Sequence, residues 1–207
     1  MGEVDDNETP WADTAVITME LQRGVVGESA TMPALRDAVA EVGLLGSVRS
    51  LLEAARAASM PVVHATVSWR EDRRGTPLNT PLARGLGATP GHLLHGSEAA
   101  ELHPGIGADP AVDLIAHRHH GMTPFTGTDL DALLRSLGVR RLVICGVSLN
   151  VGIIGAVIEA VGLGYGVVVP TDGVVGIPVA YGSSVVQNSL RPLATLSTTD
   201  DLIAAWR

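Results

Sequence analysis

The sequence contains no lysine, and all fourteen of its basic residues are arginines. This excludes Schiff-base chemistry and proton shuttling through an ε-amine. A single cysteine, Cys145, excludes an intrachain disulfide and a zinc site built from several thiolates. No basic-then-apolar leader opens the chain, so a reducing cytoplasm is the expected location. Aromatic residues number only six, which leaves the core to Val, Leu, Ile and Ala. Positive charge is scarce as well. The net charge of −8 opposes binding to nucleic acid or an anionic membrane, both of which demand a basic face. The most apolar stretch, Val147 to Pro170, is broken by Asn150, Glu159 and several glycines, and reads as a helix followed by a strand rather than a membrane span.

What is present points to one α/β domain. With 207 residues, 46% hydrophobic and 17% charged, the chain has apolar material for one large core and too little charge for disorder. Residues 1–13 read as an acidic, polar arm able to pack through Trp11, and residues 14–207 as the domain. The run TAVITME is β-branched without clean alternation, as expected of a parallel strand covered on both faces. Further strands are read in MPVVHATVSW, VDLIAH, RLVICGV, GVVVP and LATLST. The segment from Met32 to Ala58 has helical spacing and forms one long or two short helices; further helices follow PFTGT, GVSLN and the region around AYGSSVVQNSL, and one closes the chain. The alternation implies a three-layer Rossmann-like fold with a central, mostly parallel six-stranded sheet flanked by helices. Residues 70–110 are rich in Gly, Pro, Arg and His with weak periodicity, the pattern of a lid or subunit contact near a site.

Ligands of such sheets sit beyond the carboxyl ends of the strands. Four places should therefore converge: Glu20, Ser68 to Arg70, His117 to His120, and Ser148 to Gly152. Glu20 is the strongest candidate, because a carboxylate closing a central strand enters the site partly desolvated, a setting suited to a general acid. The run His117, Arg118, His119, His120 offers titration, carboxylate binding or, as the weakest option, metal ligation; adjacent strand residues face opposite ways, so at most two of the four share one cavity. Arg70 and Asn79 are candidate ligand contacts in the excursion. Cys145, inside RLVICGV, reads as core packing rather than as a nucleophile. The glycines of GLGATPG lie outside any strand-to-helix turn, so a nucleotide cofactor is not expected.

Four segments in order, ITMELQRGVV, HRHHGMTPFTGTDLDALLRSLGV, RRLVICGVSLNVGIIGAVIEAVGLGYGVVVPTDGVVG and SLRPLA, resemble the isochorismatase-like hydrolase family. The resemblance implies an active site of aspartate, lysine and cysteine. Here the aspartate position falls on Glu20 and the cysteine position on Gly152. The lysine position falls on Arg118 or, counted back from Phe125, on His119, with His117 a third possibility. It further implies a non-proline cis peptide between Val147 and Ser148 with backbone amides nearby for an oxyanion. Asn150 either presents its amide to a ligand or caps the following helix. Gln22 and Phe125, within the matching motifs, join the ligand-binding candidates. The nicotinamidase branch of the family binds zinc through an Asp-x-His arrangement after the second strand, but VSWRED has none, so no metal and no other cofactor are expected. True isochorismatases lack the cysteine, often carry glycine there, and cleave a vinyl ether to release pyruvate. The resemblance thus suggests Glu20 acid chemistry on a small carboxylated metabolite. The alternative is a ligand-binding or subunit partner that keeps the fold without hydrolysis. Self-association as a dimer or tetramer is also implied.

Overall fold

A computed structural model describes residues 11–207. Residues 1–10 of the expected arm lie outside the described residues, but Trp11 packs edge-on to Trp206 with ring centroids 6.1 Å apart, and the Arg141 guanidinium lies over its ring. Six strands form the sheet: β1 (Thr14–Met19), β2 (Val62–Val67), β3 (Leu114–Arg118), β4 (Arg141–Gly146), β5 (Gly166–Pro170) and β6 (Thr195–Ser197). Their order is β3-β2-β1-β4-β5-β6, and every pairing is parallel rather than mostly so. The chain winds outward from β1 to β3, then crosses back to lay β4 against the other side of β1. The reversal places the topological switch point, where ligands of such sheets bind, between the ends of β1 and β4.

Alternation along the strands builds the layers. Ala15, Ile17 and Met19 of β1, with Leu142 and Ile144 of β4, face α5 (Leu130–Ser136), α6 (Ile154–Gly162) and α7 (Val179–Val185). Val16, Val143 and Cys145 face α1 (Arg23–Val26), α2 (Pro33–Glu41), α3 (Leu44–Ala57) and α8 (Thr199–Ala205). Burying each such aliphatic side chain contributes roughly 1.5–3 kcal/mol. The helical pattern after β1 resolves into α2 and α3, because Gly43 takes a left-handed conformation between them. The excursion between β2 and β3 is less irregular than its composition suggests. It holds α4 (Pro81–Ala88), opened by Pro81 and capped by the Thr80 hydroxyl, which accepts a hydrogen bond from the Ala83 amide. Strand β4 ends on Gly146 at φ +112°, where a Cβ would lie 2.4 Å from the Met19 carbonyl oxygen. Only glycine lets the ends of β1 and β4 approach this closely.

A buried polar chain crosses the sheet where the sequence suggested only apolar packing. The Thr18 hydroxyl contacts His64 Nδ1 at 2.7 Å, His64 Nε2 contacts Asp113 Oδ2 at 3.0 Å, and Arg56 of α3 donates to both Asp113 oxygens. Burial pushes the Asp113 carboxyl up, but hydrogen bonds from Arg56, the Asp109 amide and His64 outweigh it and hold it at about 2. His64 is held below its usual value, chiefly by burial.

Candidate active site

A cavity of about 220 Å³ lies at the switch point. Glu20, Trp69, Arg118, Ser148, Asn150 and Gly152 line it, so all four strand-end segments contribute, the second through Trp69 rather than the candidate Arg70. Glu20 follows β1 directly. Its amide donates to the Ala65 carbonyl, and its φ of +51° lies in the left-handed region that non-glycine residues rarely adopt. Holding a glutamate there costs of order 1–3 kcal/mol, a cost that concentrates at functional positions. Arg118, the last residue of β3, reaches past the end of β2, and its Nη2 donates to Glu20 Oε1. They are the cavity's one carboxylate and one guanidinium among the described residues. Arg118 is 3% exposed, and its Nε and Nη1 are buried without a hydrogen-bond partner among the described residues.

Strand alternation settles which residue of the His117 to His120 run faces the cavity. Arg118 points in, while His117 and His119 point to the far side of β3 and meet Ser68 there. Gln22 is fully buried outside the cavity: its amide nitrogen donates to the Val67 and Ala100 carbonyls, and its oxygen accepts from the Val67 amide, so it ties β1's end to β2. Arg70 is exposed and paired with Asp72, Asn79 is exposed outside the cavity, and Phe125 packs in the core near Tyr165. Val147 is buried, and the Val147–Ser148 peptide is cis, as the resemblance implied. Asn150 neither caps a helix nor is free. Its Oδ1 accepts from the Ser148 hydroxyl, and its Nδ2 donates to the Ile177 carbonyl. Gly152 sits in a π-helical turn, Leu149–Ile153, ahead of α6. A Cβ there would meet Met19 Cε at 3.0 Å, the movable end of a flexible side chain, and the Val147 carbonyl oxygen at 3.2 Å.

The sequence pointed to the excursion but not to the individual residues it supplies, Leu82, Leu86 and Leu93, nor to Met122 or to Val25, Met32 and Leu35 from the stretch after β1, which complete much of the apolar wall with Trp69. His92 also lines the cavity; burial, with a smaller contribution from the Arg73 charge, lowers it to about 4, so it is a neutral imidazole bonded to the Thr31 hydroxyl. The one signal for this wall was the Thr-Pro start of α4, which the weak periodicity around it obscured. Cys145 does not line the cavity; it is fully buried in the core layer whose other members, among them Leu35 and Trp69, form the cavity wall, and burial pushes its thiol up to about 12. No thiolate is available there at neutral pH.

A largely apolar cavity at the switch point of a doubly wound sheet, with one ion pair inside it, is a candidate small-molecule site. The isochorismatase domain model matches residues 14–201, and the chain belongs to that family. It is 28% identical to the uncharacterized isochorismatase family protein YecD of Escherichia coli O157:H7 over 163 residues, 77% of this chain and 78% of the relative. Among solved structures, an isochorismatase family protein from Burkholderia thailandensis superposes with a TM-score of 0.77 at 25% identity, covering 94% of this chain and 96% of that one. A cysteine hydrolase from Pseudomonas syringae pv. phaseolicola 1448A superposes with a TM-score of 0.81 at 23% identity over 94% and 92% of the two chains, which bears on the fold alone. No helix among the described residues is long and apolar enough to cross a membrane.

Proposed function

We propose that this isochorismatase-family protein hydrolyses a small carboxylated vinyl ether, with Glu20 as the acid and Arg118 as the carboxylate holder. One observation carries the reading: Arg118 is buried, bonded to Glu20 through Nη2, and left with two donors unmet. Unmet buried donors are costly, and a ligand carboxylate is the acceptor whose planar geometry matches a guanidinium. When that carboxylate arrives, two negative groups face one guanidinium, and a proton on Glu20 relieves their repulsion.

The chemistry then follows from position. The Glu20 carboxyl gives its proton to the terminal carbon of the vinyl ether, leaving a positive charge shared between the neighbouring carbon and the ether oxygen. Water adds to that carbon and returns a proton to the Glu20 carboxylate. The resulting hemiketal breaks its bond to the departing alcohol, so the net reaction consumes one water and yields pyruvate and an alcohol. Gly152 offers no nucleophile and keeps that part of the cavity open. Incubation with isochorismate, with pyruvate measured by a coupled dehydrogenase, tests the proposal. Release by the native protein and a loss of about a hundredfold or more in Glu20→Gln are expected.

A second reading has support in the direct Glu20–Arg118 contact, which neutralises both groups and suits binding without turnover. Thermal stabilisation by carboxylated ligands with no product from any of them would replace the first reading with this one.

A further inference from the structure

Three of the chain's seven histidines gather away from the cavity. His117 of β3 and His119, just past its end, flank Arg118 and turn away from the cavity it faces, while His95 reaches the same spot from the excursion after α4. One ring nitrogen from each lies within 4.8 Å of the others. The rings are held around a single residue. His95 Nδ1 and His117 Nε2 lie 3.1 and 3.0 Å from the Ser68 hydroxyl, and His119 Nδ1 lies 3.0 Å from the Ser68 carbonyl oxygen. On its other side, His117 Nδ1 is 3.0 Å from the Thr66 hydroxyl, which fixes the ring's orientation as an outer partner of a ligating imidazole does.

We propose that His95, His117 and His119 form a binding site for a divalent transition metal of the zinc class, fastening the excursion to the edge strand β3. The donors are three imidazoles with no carboxylate among them, a set that suits zinc, copper, nickel or cobalt and is poor for magnesium or calcium. It also differs from the Asp-x-His arrangement whose absence from VSWRED led the sequence to suggest no metal. Tetrahedral zinc at about 2.0–2.1 Å from each nitrogen sets the donors about 3.4 Å apart, so the rings must close by about an ångström. His95 and His119 are exposed and can turn to do so. A fourth position stays open for water.

The consequence reaches the cavity wall. The His95 amide is bonded to the Trp69 carbonyl, and the Trp69 amide to the Leu93 carbonyl; Trp69 and Leu93 both line the cavity. A metal held by His95 would therefore stiffen the wall that the excursion supplies.

Untagged full-length protein, stripped with a chelator, is titrated with cobalt(II) by visible absorption and with zinc by calorimetry. One-to-one binding is expected, with the intense absorption of tetrahedral cobalt. His117→Ala and His95→Ala should each weaken it by at least about tenfold, while His103→Ala and Glu20→Gln leave it unchanged. Circular dichroism checks that each variant is folded. Absent binding, or binding indifferent to the His95 and His117 changes, overturns the site. Trypsin cleavage at Arg70, Arg73, Arg74 and Arg84 should slow on adding zinc, and an unchanged rate with zinc bound overturns the fastening role.

Discussion

Glu20 and Arg118 are 98 residues apart in sequence and meet across the carboxyl end of β2, an ion pair inside an otherwise largely apolar cavity. Each is the other's charge partner there, and any ligand carboxylate must compete with Glu20 for the guanidinium. Glu20→Gln should therefore tighten the binding of a simple carboxylate such as pyruvate, the opposite of its expected effect on the proposed hydrolysis. In a double-mutant cycle with Arg118→Met, the stability coupling should be roughly 1–3 kcal/mol. Urea unfolding and calorimetric titration measure the two effects. Weaker carboxylate binding in Glu20→Gln would mean that Glu20 does not compete for Arg118.

The thiol makes the opposite prediction. Cys145 is fully buried and does not line the cavity, its Sγ 3.5 Å from the Ile17 carbonyl, and its thiol is pushed up to about 12. Iodoacetamide should leave the folded protein unmodified and label it only in denaturant. Gly152→Cys should fold with a small shift of Met19 Cε and of the Val147 carbonyl, and should be labelled in the native state because the position lines the cavity. Mass spectrometry of the labelled peptide distinguishes the two positions. Rapid native labelling of Cys145 would contradict its burial.

How much of this was legible in the sequence depends on whether the information was local. The bounds of β5 follow from GVVVP itself, because a β-branched run closed by proline leaves little freedom. Glu20 and the run His117 to His120 stood out because they close strands, where parallel sheets gather ligands, and only the resemblance narrowed that run to Arg118, His119 or His117. His119 could not be separated from Arg118 until the register of β3 fixed which residue faced in. Gln22 and Phe125 sit in the matching motifs, yet one bonds to backbone and the other packs the core. A motif marks a position that the fold depends on without saying which way it faces. The His95 cluster was invisible for a different reason: His95 is 22 residues from His117, and only the path of the excursion brings them together.

Acid should unfold the protein partly through one carboxylate. Asp113 is 3% exposed and held at about 2 against an ordinary value of 3.8, so the folded state binds its proton less readily than the unfolded state. Its contribution, about 2 kcal/mol, is present above pH 3.8 and is lost as the pH falls through about 2. His64 acts in the same direction at higher pH: lowered by burial, it resists protonation in the folded state, so stability begins to fall as the pH drops below its ordinary 6.5. Asp113→Asn should lower stability at pH 7 and flatten the curve between about pH 4 and pH 2. Denaturant unfolding across that range checks both. A variant curve parallel to the native one would remove Asp113 as the cause.

Two glycines should respond in opposite ways to the same change. At Gly146, φ of +112° is hostile to any side chain, and the new Cβ would lie 2.4 Å from the Met19 carbonyl oxygen and 2.8 Å from its amide nitrogen. Neither atom can yield without parting β1 from β4, whose ends frame the cavity. Gly146→Ala should therefore cost more than about 3 kcal/mol and lower ligand affinity together with stability. Gly85 lies inside α4 with nothing within 4 Å of its Cβ direction, so alanine there removes backbone freedom from the unfolded chain without a clash. Gly85→Ala should raise stability by about 0.5–1 kcal/mol, a gain confined to the excursion. Hydrogen exchange should show the added protection in α4 and little change in β1 or β4. Since Leu82 and Leu86 of that helix line the cavity, slower ligand exchange should accompany the gain, and unchanged ligand kinetics would mean that α4 does not gate entry.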